Sequence, residues 1–241
     1  MLGIARRTVY RHWQRFHGVR RLELATLRRY LDLEGRHRVL DVGSGKGALC
    51  GALARGGHRV IGVDPSARAL RIAKRYAAPS TPFVLGDGER LAFADARFDR
   101  AVSVCVLEHT RDDAAVLREV SRVLEPGGIF ALTVDSLSSP HVSEAFRRHH
   151  VREYRCNQLY DLPRIRSLLD AAGFDVLASD YLFAGRLSVS LLRFGSRFHY
   201  RGPFILLFPV LYPLLLLDHV RRRRTPGGMI LAIKARKRAP A

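Results

Sequence analysis

The residues with the clearest chemical potential lie between Val39 and Gly47, in the run Val-Leu-Asp-Val-Gly-Ser-Gly-Lys-Gly. Glycines at 43, 45 and 47 let the chain turn sharply behind a strand and let a ligand approach the backbone without meeting a Cβ. A helix that follows such a turn aims free N–H groups at whatever lies there. The glycines alone fit two kinds of cofactor, because Gly43, Gly45 and Ala48 also satisfy the G-x-G-x-x-A pattern of a dinucleotide turn. Asp41 separates the two. A pyrophosphate gains nothing from a carboxylate at the strand end, whereas a ligand carrying ammonium and sulfonium charges does.

Further along, Asp64 closes the apolar run Val60-Ile-Gly-Val-Asp and is followed by Pro65-Ser66, a helix start. Asp87-Gly88 follows the next apolar run, and Cys105 and His109 follow the one after that. The elements that must position these residues alternate. Strands are expected at 37–42, 58–63, 81–85, 98–106, 129–135, 174–183 and 229–235, with helices at 47–56, 66–77, 111–124 and 161–172. Apolar strands alternating with helices predict a parallel sheet covered on both faces. Pro126-Gly127-Gly128 is expected to stop one helix and turn into a strand, and 136–160 to be a polar connection rich in His, Arg and Tyr.

These motifs, in this order, resemble the class I S-adenosylmethionine-dependent methyltransferases from about residue 36 to 183, together with the final strand. Phe98-Asp99, Val106-Leu107-Glu108-His109 and Leu117-Arg-Glu-Val-Ser-Arg-Val-Leu-Glu-Pro-Gly-Gly128 resemble the subgroup that includes the ubiquinone and menaquinone biosynthesis enzymes. The resemblance implies an α/β, Rossmann-like, seven-stranded and mostly parallel sheet with an antiparallel last strand. It also implies S-adenosyl-L-methionine as cofactor, held by Asp41, Gly43, Ser44, Gly45 and Gly47, by Asp64 and Pro65 at the ribose, by Asp87 and Gly88 near the adenine, and beside Cys105. His109 is the candidate catalytic residue; His141, His149, His150, Tyr154 and Tyr160 are further candidates to line an acceptor pocket. Asp99 reads as structural. Val104 stands before Cys105 where the cytosine-methylating enzymes have proline, so Cys105 reads as a lining thiol.

The formal charge of +19 is segregated. Residues 1–38 carry ten basic and three acidic side chains, 39–185 are nearly balanced, and 186–241 carry twelve basic and one acidic. The N-terminal part, 1–35, reads as a basic covering helix with Trp13, Phe16, Val19, Leu22, Leu24, Leu27 and Leu31 on its apolar stripe, and 36–241 as the methyltransferase domain. Within it, 186–226 is an insertion holding an uncharged run, Pro203–Leu217, whose three prolines argue against a straight helix. Arg186, Arg193, Arg197 and Arg201 precede the run and Arg221 to Arg224 follow it, which suits an anionic membrane surface and a hydrophobic small-molecule acceptor. Nucleic acid is a poorer match, because aromatic stacking platforms are missing. An RNA methyltransferase is the rival with the same cofactor, and an NAD(P)-dependent oxidoreductase the rival with another. Cys50, Cys105 and Cys156 have no metal spacing, so no metal is expected; a reduced cytoplasmic setting fits, peripheral to the membrane, and no signal peptide follows Arg6-Arg7.

Overall fold

The computed structural model describes residues 18–78, 80–197, 203–221 and 225–239. Trp13 and Phe16 of the covering helix, and Arg201 and Arg222 to Arg224 of the insertion, lie outside these. The described chain holds a seven-stranded sheet of order β3-β2-β1-β4-β5-β7-β6. Its strands are β1 (Arg38–Val42), β2 (Arg59–Asp64), β3 (Phe83–Leu85), β4 (Phe98–Val104), β5 (Leu124–Asp135), β6 (Phe174–Leu182) and β7 (Ile230–Lys237). β3 through β5 run parallel, and β7 is antiparallel to both of its neighbours, as the resemblance implies.

Two apolar clusters lie against the sheet, one gathering Leu27, Leu31, Leu49 and Leu53, the other Val116, Val120, Ile165 and Leu169. The first is supplied by α1 (Gly18–Tyr30) and α2 (Ala48–Arg55), the second by α4 (Asp113–Val123) and α6 (Leu162–Ala171). In α1, Leu22, Glu23, Thr26, Leu27 and Tyr30 are buried while Arg21, Ala25, Arg28 and Arg29 face out, which is the one-sided stripe of a packing helix. Its C-terminal end is fastened to β6: Arg29 and the Tyr30 hydroxyl both donate to Asp180 Oδ2, at 2.6 and 2.9 Å.

The glycine turn is shaped by its neighbours. Gly43 and Ser44 donate to the Val63 carbonyl at 2.8 and 2.9 Å, tying the end of β1 to the end of β2. Gly43, Gly45 and Gly47 have φ of 72°, 52° and 73°, the left-handed region that glycine enters without strain. Ser66 caps α3 (Ala67–Ile72), accepting from Ala69 N at 3.2 Å.

Three expectations change. The connection 136–160 contains α5 (Glu144–Tyr154), capped by Ser143, whose side chain accepts from the Phe146 amide. Pro126-Gly127-Gly128 sits inside β5 as an irregularity: Leu124 pairs with Phe98 and Ile129 with Arg100, leaving the residues between them looped out. The apolar run is helical after all. α7 (Arg186–Arg197) is followed by α8 (Pro203–Arg221), 19 residues containing Pro209 and Pro213. Pro203 occupies the first turn, where a missing N–H costs nothing, and each internal proline removes one ladder bond. Burial of Leu215 and His219 helps offset that loss. So does Asp218, whose carboxylate accepts from the Ser188 amide at 3.1 Å and from the Ser188 hydroxyl, capping the first turn of α7. Among the described residues no helix is long and apolar enough to cross a membrane.

Candidate functional site

A cavity of about 450 Å³ opens at the carboxyl ends of β1, β4 and β5, against the glycine turn. One end is walled by Asp41, Gly43, Ser44, Gly45 and Lys46, the other by Val104, Cys105, His109, Asp135, His150 and Tyr154. Arg20, Glu23 and Leu24 of α1 and Leu192 of α7 complete the wall with Met229 and Ile230. A Cβ built on Gly45 meets no atom within 4 Å, so its Cα faces open space, and Ser44 Oγ is buried without a protein partner. A Cβ on Gly62 would come within 2.7 Å of both Phe83 and Ser44 Oγ, so the floor beneath the turn also requires glycine.

The expected cofactor residues fall in two groups. Asp41, Gly43, Ser44, Gly45 and Cys105 line the cavity, and His109, on a short 3₁₀ turn Leu107–His109, lines it too. Asp64 and Asp87 stand at the same edge of the sheet but outside that wall. Asp64 is buried and accepts from Gly45 N and Ser66 N, one on each oxygen, both at 2.8 Å. It therefore holds the turn and the start of α3 together, leaving a lone pair on each oxygen. Asp87 is exposed and accepts from Glu89 N at 3.1 Å, with Gly88 beside it; Pro65 is exposed. Gly47 packs behind the turn, where a Cβ would lie 2.8 Å from Ala73. Asp99 sits at the opposite end of β4, bonded to Arg38 N and His37 Nδ1 at 3.0 and 2.7 Å. Of the acceptor-side candidates, His150 and Tyr154 reach the cavity, their rings 4.6 Å apart. Tyr160 is in the core, donating to Asp113 at 2.9 Å, and His141 and His149 face outward.

Residues 40–132 match a family model described as a methyltransferase domain. Over this stretch the chain is similar to methyltransferase domains. The chain is 37% identical over 123 residues to a demethylmenaquinone methyltransferase of Corynebacterium kroppenstedtii, covering 51% of this chain and 52% of that protein. It is 35% identical over 125 residues to a ubiquinone biosynthesis O-methyltransferase of Paracidovorax citrulli, covering 49% and 52%. The chain thus spans about half the length of these curated relatives. The fold resembles that of the Haemonchus contortus phosphoethanolamine N-methyltransferase 2 in complex with S-adenosyl-L-methionine, with a TM-score of 0.68, 23% identity, and coverage of 91% of this chain and 53% of that one.

The cavity and its surroundings are more acidic than the sequence suggests. Glu23, buried, accepts from Cys105 Sγ at 3.3 Å and Thr133 Oγ1 at 3.2 Å and pairs with Arg20 at 3.2 Å. Burial pushes Asp41 up to about 7; the Cys50 thiol, donating at 3.0 Å, pulls against this and the charge of Asp64 adds to it. Burial and then the charge of Asp135 hold Glu108 well above the usual carboxylate range. Glu23, Glu108 and Asp135 were not singled out from sequence, being far apart in the chain. One signal was present: Glu23 is an acid between Leu22 and Leu24 on the apolar stripe of the covering helix.

Proposed function

We propose that this chain transfers the methyl group of S-adenosylmethionine to a hydrophobic small-molecule acceptor, of the quinone-precursor kind named for its relatives, at a membrane surface. The observation that carries the reading is the continuity of the cavity from Asp41 and Gly45 to Cys105, His109 and Tyr154. A cofactor laid on the glycine turn would present its methyl group to the second half of the same chamber. Asp41 would face the cationic end, Asp64 has lone pairs left for ribose hydroxyls, and Asp87 would meet the adenine amino group. The cofactor supplies the electrophilic methyl. The chain's part is to hold donor and acceptor in line and to limit water, and Arg20, Glu23 and Leu24 of α1 supply one wall of the cavity for this.

The membrane part of the proposal rests on the insertion. Leu192 of α7 lines the cavity, while the opposite stripe of α7 exposes Arg186, Leu187, Arg193 and Phe194. α8 exposes Val210, Leu214, Leu216, Leu217 and Val220, ending at Arg221. An apolar face bordered by arginines suits a monolayer of anionic lipid, and docking there would bring the wall of the acceptor chamber to the lipid boundary. The test is calorimetric titration with S-adenosylmethionine, followed by labelled methyl transfer to demethylmenaquinone in anionic vesicles. Binding lost in Asp64→Ala, and transfer requiring vesicles that Leu214→Ser/Leu217→Ser/Val220→Ser no longer sediments with, are the expected results. No binding by the wild-type chain, or vesicle binding that survives the triple change, overturns the corresponding half.

A further inference from the structure

Asp135, the last residue of β5, is met by side chains from three other segments. Its Oδ2 lies 2.8 Å from His150 Nε2 and 3.6 Å from Cys156 Sγ. The ligand atoms of Asp135, His150 and Cys156 lie within 4.8 Å of one another, and so do those of Cys105, Glu108 and Asp135. The local fold explains the convergence. α5 ends at Arg155 in the left-handed conformation, φ 54°, and Cys156 N turns back to donate to Val151 O at 3.0 Å, returning the thiol under His150. Asn157 N then donates to the Glu108 carbonyl at 2.7 Å, pinning this turn to the 3₁₀ turn after β4.

Glu108 is the observation that asks for a ligand. Its side chain is fully buried, and neither carboxylate oxygen has a hydrogen-bond partner. It stands beside a second carboxylate, with Arg20 engaged by Glu23 instead. Buried like charges are tolerated when a cation or a proton sits between them.

We infer that Asp135, His150 and Cys156 form a binding site for a divalent transition-metal ion, beside the buried carboxylate of Glu108. A thiolate and an imidazole favour a borderline ion such as Zn²⁺ over Mg²⁺ or Ca²⁺, which take oxygen ligands. Binding would release the proton of the thiol. Asp135 and His150 also line the cavity, so the ion has a path in and an open side toward the acceptor chamber. The donors come from the end of β5, from within α5 and from the turn after it, which explains why no metal spacing is visible in the sequence.

The experiment is titration of the chelator-treated full chain with Co²⁺, read by absorption, followed by displacement with Zn²⁺. One equivalent of Co²⁺ giving a thiolate-to-cobalt charge-transfer band and tetrahedral d–d bands, bleached by Zn²⁺, is expected. The band is to vanish in Cys156→Ser and His150→Asn and to persist in Cys50→Ser. Absence of the band in the wild-type chain, or its survival in folded Cys156→Ser, overturns the inference. If a variant fails to fold by circular dichroism, the wild-type spectrum and the rise of its melting temperature with Zn²⁺ still decide. Cofactor binding by calorimetry is read separately, so a metal-free methyltransferase and a metal-binding protein that takes no S-adenosylmethionine give different results.

Discussion

Replacing Gly45 with alanine separates ligand space from fold space. Gly45 has φ 52°, and its added methyl would meet no protein atom within 4 Å, so the protein pays only for left-handed backbone. That strain is about 1–2 kcal/mol, or a fall in melting temperature of roughly 2–8 °C for a chain of this size. The bond from Gly45 N to Asp64 Oδ2 at 2.8 Å needs no side chain and is kept. Gly43→Ala has the same backbone strain, φ 72°, but its methyl would lie 2.3 Å from Val106 Cγ2, adding an overpacking cost of about 1–3 kcal/mol. The two variants are compared by thermal unfolding and by calorimetric titration with S-adenosylmethionine. Gly45→Ala should be the more stable of the two and yet bind at least tenfold more weakly, a loss of about 1.4 kcal/mol, because its methyl stands in the ligand's path. Wild-type affinity in Gly45→Ala would refute the placement of the cofactor on this turn. Equal stability of the two variants would refute the role given to Val106.

Two other outcomes follow from the geometry. With its folded value raised to about 7, Asp41 keeps a proton that the unfolded chain has already released, so the ligand-free fold loses stability as pH rises from about 4 to 7. A cationic ligand favours the ionised form, so binding should strengthen toward pH 7 and release up to one proton; heats independent of buffer ionisation enthalpy, or an unchanged profile in Asp41→Asn, would count against this. Asp180→Ala removes the acceptor shared by Arg29 and buried Tyr30, costing about 1–3 kcal/mol in urea unfolding and weakening exchange protection along α1; unaltered protection would mean that this clamp does not hold the helix.

What the chain disclosed depended on the range of the interaction. The strands, the glycine turn and the cap before α3 are set by neighbours a few residues apart, so apolar period and turn chemistry expose them. α8 was misjudged because proline's local cost is visible in the sequence, whereas the docking of Leu215 and the bond from Asp218 to Ser188 are not. α5 was missed because its face toward the protein offers one fully apolar anchor, Phe146, among His and Arg. The acids at and behind the cavity, Glu23 and Asp135 in its wall and Glu108 buried beside Asp135, come together from distant parts of the chain, with a contact between residues 110 apart linking Thr133 to Glu23. Spacing says nothing about such a meeting. The roles given to Asp64 and Asp87 came from the resemblance, and the geometry adds that Asp64 also fastens the turn.

The place of β7 bears on how the protein is made. β6 has a single neighbour in the sheet, and that neighbour is β7, which inserts between β6 and β5 only after the whole 186–226 segment has been synthesised. A nascent chain can pair β1 to β5 early, but β6 emerges with both edges open and must wait through two helices for its partner. The apolar surfaces of β6, α7 and α8 are therefore exposed during synthesis, when an unpaired strand edge is most prone to join another chain. Slow elongation through this region would lengthen that exposure, and early contact of the insertion with a lipid surface would shorten it.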